Sequence, residues 1–169
     1  MGWDNNPDKW TKSAGHHYQL QDLNWIKSLK ISGITDDDCC LFLWVTDPIL
    51  QKSFEVMKSW GFKYSTVAFT WVKTTKNGKW HYGCGSWTRA NPEMCLLATI
   101  GHPKRINRGV RQLIISPVGE HSKKPSDIRK RIIELVGDLP RIELFARPPK
   151  DRLFEDESYK GWDLWGNEC

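Results

Sequence analysis

Ten bases and one acid lie between residues 56 and 119: Lys58, Lys63, Lys73, Lys76, Lys79, Arg89, Lys104, Arg105, Arg108 and Arg111 against Glu93. Tyr64, Phe69, Trp71, Trp80, Tyr82 and Trp87 are interleaved with them. Cations neutralise a phosphate backbone and flat rings stack on splayed bases, so the pattern fits a nucleic-acid surface. The flanks are different. Residues 1–55 carry eight acids and five bases, and residues 120–169 carry eleven and ten, so the net charge of +5 is concentrated in the middle. The candidate backbone contacts are Lys73, Lys76, Lys79, Arg89, Lys104, Arg105, Arg108 and Arg111. A solvated basic face has the same composition, and charge alone leaves both readings open.

Other chemistry is harder to find. Cys39, Cys40, Cys84, Cys95 and Cys169 are odd in number, and no pair has the two-residue gap of a zinc knuckle. They read as reduced, intracellular thiols used as small hydrophobes, and no metal site is expected. No apolar run approaches the ~20 residues of a membrane span, and the polar opening Met1-Gly2-Trp3-Asp4-Asn5-Asn6 does not read as a secretory signal. The expected location is intracellular, cytoplasmic for a bacterial or phage-encoded chain. With 169 residues, one domain with its own core is expected. Ten tryptophans suit either core packing or base stacking.

The elements that must position these side chains alternate. Residues 39–46, 62–73, 94–100, 112–116 and 141–147 are apolar and β-rich. The first is nearly continuous, as for a strand buried on both faces. Helices are expected over 22–29, from Asp47-Pro48 to Gly61, and over 125–136. Asp47 is the expected N-cap of the second, and Gly61 and Gly137 are the expected C-terminal glycines. Strands alternating with helices imply an α/β sheet covered on both faces. The polar, basic stretch 74–92 reads as a functional loop facing nucleic acid.

Several runs together resemble the MT-A-seventy family of S-adenosylmethionine-dependent N6-adenine methyltransferases. They are Leu41 to Thr46, Trp60 to Tyr64, Trp71-Val72-Lys73, Asn91 to Leu97, His121 to Pro125, Glu143 to Arg147, Gly161-Trp162-Asp163 and Gly166-Asn167-Glu168. They stand in the family's order from about His17 to Glu168. The resemblance implies a Rossmann-like class I methyltransferase fold in permuted order. It assigns Lys124 to the methionine carboxylate of S-adenosylmethionine, and Arg147, Asn167 and Glu168 to its ribose and adenine. A Lys just before a helix and an Arg just past a strand are placed where open α/β sheets bind ligands. On the acceptor side the resemblance points to Tyr18, Trp87 and Glu93. For Glu93 the alternative is an ion pair with Arg89, and for Trp87 simple loop packing.

The family's catalytic run, Asp-Pro-Pro-Trp at the end of its first strand, does not occur in this sequence. That strand lies centrally in the family's sheet, between the strands matching 141–147 and 39–46, so a single methyltransferase domain lacking its first strand is expected. The implied function is metal-free methyl transfer to N6 of adenine in nucleic acid, with DNA ahead of RNA because the chain is compact. The alternative is an inactive nucleic-acid-binding or partner subunit, with a homo- or heterodimer left open.

Overall fold

The computed structural model describes residues 21–83, 85, 87–119, 123–146 and 157–167. Four strands form the main sheet: β1 (Cys39–Val45), β2 (Lys63–Thr74), β3 (Pro92–Ile100) and β4 (Leu113–Pro117). Their spatial order is β1-β3-β2-β4. β3 is antiparallel to both neighbours, whereas β4 is parallel to β2. Two shorter strands, β5 (Ile142–Leu144) and β6 (Asp163–Trp165), pair in parallel as a second sheet.

Period-two alternation on β1, β2 and β3 makes two cores. Val45, Leu96 and Ala98 point to one face, where helix α1 (Leu23–Ser28) and helix α2 (Leu50–Ser59) supply Ile26, Val56, Met57 and, just beyond, Trp60. Phe69, Trp71, Cys95 and Ile114 point to the other, where helix α3 (Asp127–Val136) supplies Ile128, Ile132 and Leu135. The sheet is thus covered on both faces, as the alternation of elements implies.

Local signals explain most boundaries. Asp22 caps α1 by accepting from the Trp25 N–H at 2.8 Å. Gly61 and Gly137 follow α2 and α3 with φ of 83° and 100°, a region in which a side chain is strained. The expected Asp47 cap is not made. Residues Asp47–Ile49 form a 3₁₀ turn, and no side chain caps α2 at Ile49. That turn leaves Asp47 too far upstream to reach the first free N–H groups of α2.

Three strands differ from expectation. β5 stops at Leu144 because Phe145 adopts φ of 59°, a left-handed conformation that ends an extended run. β6 has no counterpart among the expected elements, since three residues carry no readable alternation. β1 differs in burial. Six of its seven residues are only half-buried, although their types suit a strand enclosed on both faces. Among the described residues β1 pairs only with β3, and β5 only with β6.

Met57 carries the helix-to-sheet packing of the first core at 1% exposure. Met57→Ala should lower stability by about 2–5 kcal/mol in chemical denaturation, because the site is hemmed in by sheet and helix and cannot collapse.

Candidate active site

β1, β2 and β4 run in one direction, and their C-terminal ends define one end of the main sheet. The loop 75–91 leaves β2 there, and the segment leading into α3 crosses there. α3 then runs to the other end of the sheet, where the Leu135 carbonyl accepts from the Ile106 N–H, and Arg129 in its first turn pairs with Glu143 of β5 at 2.7 Å. Ligands of open α/β sheets bind outside such strand ends.

One carboxylate organises this end. Glu93, near the start of β3, accepts from Lys73 Nζ at 2.6 Å and from Lys124 Nζ. The three side chains are 14%, 19% and 29% exposed in that order. Burial alone would raise the Glu93 pKa. Lys124, by charge and hydrogen bond, and then Lys73 outweigh it and hold the carboxyl below its usual range. Both ammonium groups also lie over indole faces, Lys73 at 5.1 Å from the Trp71 centroid and Lys124 at 5.5 Å from Trp44. Trp44 and Trp71 meet edge to face at 6.5 Å, so the floor beneath the charges is rigid and aromatic. Arg89 is exposed and is no partner of Glu93 among the described residues.

The loop beside this cluster is braced at its base. The Asn91 amide accepts from the Lys73 N–H at 3.1 Å, donates to the Lys73 carbonyl at 2.9 Å, and donates to the His81 carbonyl. Beyond the brace, Trp80, Tyr82 and Trp87 are 53%, 63% and 86% exposed, and Lys76, Lys79 and Arg89 are exposed with them. Trp87 is therefore not packed as loop filler. Rings held in water on an anchored basic arm are suited to stacking on bases.

A second group lies where β5 and β6 end. Phe145, in its strained conformation, stands beside Trp165 at 5.4 Å, and Trp25 of α1 stacks on Trp165 at 6.5 Å and 15°. All three rings are more than a third exposed. Gly166 lies so close that a Cβ there would meet the Phe145 Cα at 3.0 Å. Left-handed backbone at a bulky residue costs about 1–3 kcal/mol and persists where the surroundings impose it, most often at ligand sites.

The structure thus brings together Lys73, Glu93 and Lys124, exposes Trp87 on the loop beside them, and leaves Asn167 exposed just past β6. Tyr18, Arg147 and Glu168 lie outside the described residues. Lys104, Arg105 and Arg108 stand at the opposite end of the sheet, where the segment after β3 contacts the end of α3 through Ile106 N–H and the Leu135 carbonyl. Arg111 is midway, beside α3. Sequence reasoning missed the Lys73–Glu93–Lys124 triad, the Asn91 brace and the Phe145 conformation. Only the isolation of Glu93 among bases signalled the first.

The sequence profile described as MT-A70 matches residues 3–168. The type II methyltransferase M.MunI of a Mycoplasma species is 36% identical over 163 residues, covering 95% of this chain and 64% of that protein. The N(6)-adenosine-methyltransferase subunit METTL3 of Danio rerio is 35% identical over 123 residues, covering 68% and 20%. The N(6)-adenosine-methyltransferase catalytic subunit METTL3 of Homo sapiens is 32% identical over 122 residues, again covering 68% and 20%. The chain spans less than two thirds of M.MunI and a fifth of the METTL3 proteins.

Glu93→Gln leaves two ammonium groups facing each other without a counter-charge. It should cost about 1–3 kcal/mol at neutral pH, less than for a fully buried pair. Because the folded Glu93 pKa is depressed, its contribution is complete above the unfolded value of about 4.3 and fades as pH falls through the folded value. Denaturation of both proteins from pH 7 to pH 3 should therefore show curves that converge at the acid end. A constant gap would disprove the charge account.

Proposed function

This chain belongs to the MT-A70 family, and from that premise we propose that it serves methyl transfer from S-adenosylmethionine to N6 of adenine in nucleic acid, with DNA favoured over RNA. The observation that carries the reading is Lys124, standing before α3 at the ligand-binding end of the sheet, over Trp44 and against Glu93. The leaning toward DNA rests on coverage. The type II methyltransferase relative matches 95% of the chain at 36% identity, and the adenosine-methyltransferase relatives match 66–89% of it at 27–35% identity.

The residues present suit the cofactor's chemistry. Lys124 offers a cation to the methionine carboxylate, and Asn167, joined on the family pattern by Arg147 and Glu168, offers hydrogen bonds to ribose and adenine. The exposed Phe145 ring offers an apolar face beside them, and Gly166 keeps a side chain out of the close approach to its backbone. When bound, S-adenosylmethionine supplies an electrophilic methyl group for direct displacement. Glu93 and Lys73 set the charge around Lys124, so that one net positive charge faces one carboxylate. Trp87 and Glu93, joined on the family pattern by Tyr18, would receive the base, and Lys76, Lys79 and Arg89 would hold the backbone next to it.

The acceptor machinery requires the Asp-Pro-Pro-Trp run. Its carboxylate and a proline carbonyl would accept the adenine amine hydrogens and aim the nitrogen, whose lone pair is delocalised into the ring. We place the strand bearing it between β5 and β1. The half-exposed apolar residues of β1 and the lack of a second partner for either strand among the described residues support that position. The absence of the run from this sequence favours a second reading, an inactive nucleic-acid-binding subunit of such an enzyme.

Lys124→Ala should weaken S-adenosylmethionine binding at least tenfold by calorimetry and leave affinity for an adenine-containing oligonucleotide unchanged. Unaltered cofactor binding would remove Lys124 from the site. Labelled-methyl transfer should appear when a strand ending in Asp-Pro-Pro-Trp is joined ahead of residue 1. Cofactor binding without transfer by that extended chain would leave the inactive subunit as the better reading.

A further inference from the structure

The bases of the middle segment do not make one patch. Lys76, Lys79 and Arg89 are on the loop at the ligand-binding end, whereas Lys104, Arg105 and Arg108 are at the far end, past the last residue of β3. Between them β2 spans 12 residues, roughly 35–40 Å at about 3.3 Å per residue. The interval is not neutral. Arg111 and Lys130 line an open groove of about 270 Å³ between the segment after β3 and α3, midway along the β4 side.

The acids near this line are few. Asp127 is taken by Arg131 Nε at 2.6 Å, and Asp138 by Arg141 at 2.5 Å, which leaves Glu134 at the groove. Asp36, Asp37 and Asp38 are at the far end too, but on the β1 side, where the Asp38 carboxylate accepts from the His102 N–H at 2.6 Å. Positive charge therefore follows the β4–α3 edge and not the β1 edge. Lys104, Arg105, Arg108 and Arg111 are exposed, and none of the four has an ion-pair partner among the described residues. Lys104, Arg105 and Arg108 stand a strand's length from the Lys73–Glu93–Lys124 cluster, too far to take part in methyl transfer itself.

We propose that this edge is a second nucleic-acid contact, a track for the phosphate backbone running from the adenine site along β4 and α3 to Lys104, Arg105 and Arg108. The proposal rests on the nucleic-acid reading above and adds its reach. At 3.4 Å per base pair, 35–40 Å is roughly ten to twelve base pairs, about one helical turn. The far cations grip backbone one turn from the target base, so they carry affinity and substrate length without touching the reacting site. Phosphates are alike in DNA and RNA, so the track by itself favours neither.

The test compares the full chain with Lys104→Glu/Arg105→Glu/Arg108→Glu, and with the milder all-Gln triple variant, by fluorescence anisotropy. The probes are adenine-containing duplex DNA of 8 and 24 base pairs, and single-stranded RNA of the same two lengths. Thermal melting of each variant checks folding. The wild type should bind at least one 24-mer tenfold or more tighter than the matching 8-mer. The Glu variant should lose that advantage, keep its 8-mer affinity and show a salt slope shallower by about two to three, with the Gln variant between. Equal weakening on both lengths, or an unchanged 24-mer affinity, overturns the track and leaves the nucleic-acid reading standing. Binding of neither length by the wild type overturns both. Binding of poly-glutamate with the same loss in the variant would assign the surface to an acidic polypeptide instead.

Discussion

A single carboxylate shared by two lysines fixes the functional end of this molecule. Glu93 enters from β3, Lys73 from β2 and Lys124 from the segment that leads into α3, so three separate parts of the chain meet at one charge. With Glu93 ionised the cluster carries one net positive charge. Without it, two ammonium groups would share a site that is largely withdrawn from water, and Coulomb repulsion there is several times stronger than in bulk solvent. The indole faces of Trp44 and Trp71 add a weaker, fixed attraction that keeps each ammonium in place. An arrangement of this kind sets charge and position together. Lys124 is thereby held in position by protein contacts alone.

Most of the fold was legible because period and punctuation agreed. The spacing of Leu50, Met57 and Trp60 and the glycines after α2 and α3 give helices with their correct ends, and β1 to β4 lie within a residue or two of their apolar runs. The failures have local physical causes. Asp47 does not cap because Pro48 belongs to an intervening 3₁₀ turn, and β5 is cut short by the left-handed Phe145. β6 is three residues long and exists through its pairing with β5, which no local pattern encodes. The site was legible in residue type more than in geometry. The lone acid in a basic segment stood out, and Lys124 stood out by family pattern. Their pairing depends on register across β2, β3 and the approach to α3, and Arg89, the nearest base in sequence, points elsewhere.

The two outer strands of the main sheet are built on opposite principles, which bears on what covers each. β4 has the features of an edge. It ends in Pro117, it is only five residues long, and Arg131 of α3 donates to the Arg111 and Leu113 carbonyls at 2.9 Å each. Short length, a proline and a cation on the carbonyls are ways to stop a strand from recruiting another. β1 has none of them. Its seven residues, Cys-Cys-Leu-Phe-Leu-Trp-Val, include no charge and no proline, and they are apolar toward both faces. An exposed edge of that composition would be an aggregation site in water. Such a sequence suits a strand with a neighbour on each side, and among the described residues β1 has one neighbour only, as does β5. Among the described residues, then, β4 is finished as an edge and β1 is not.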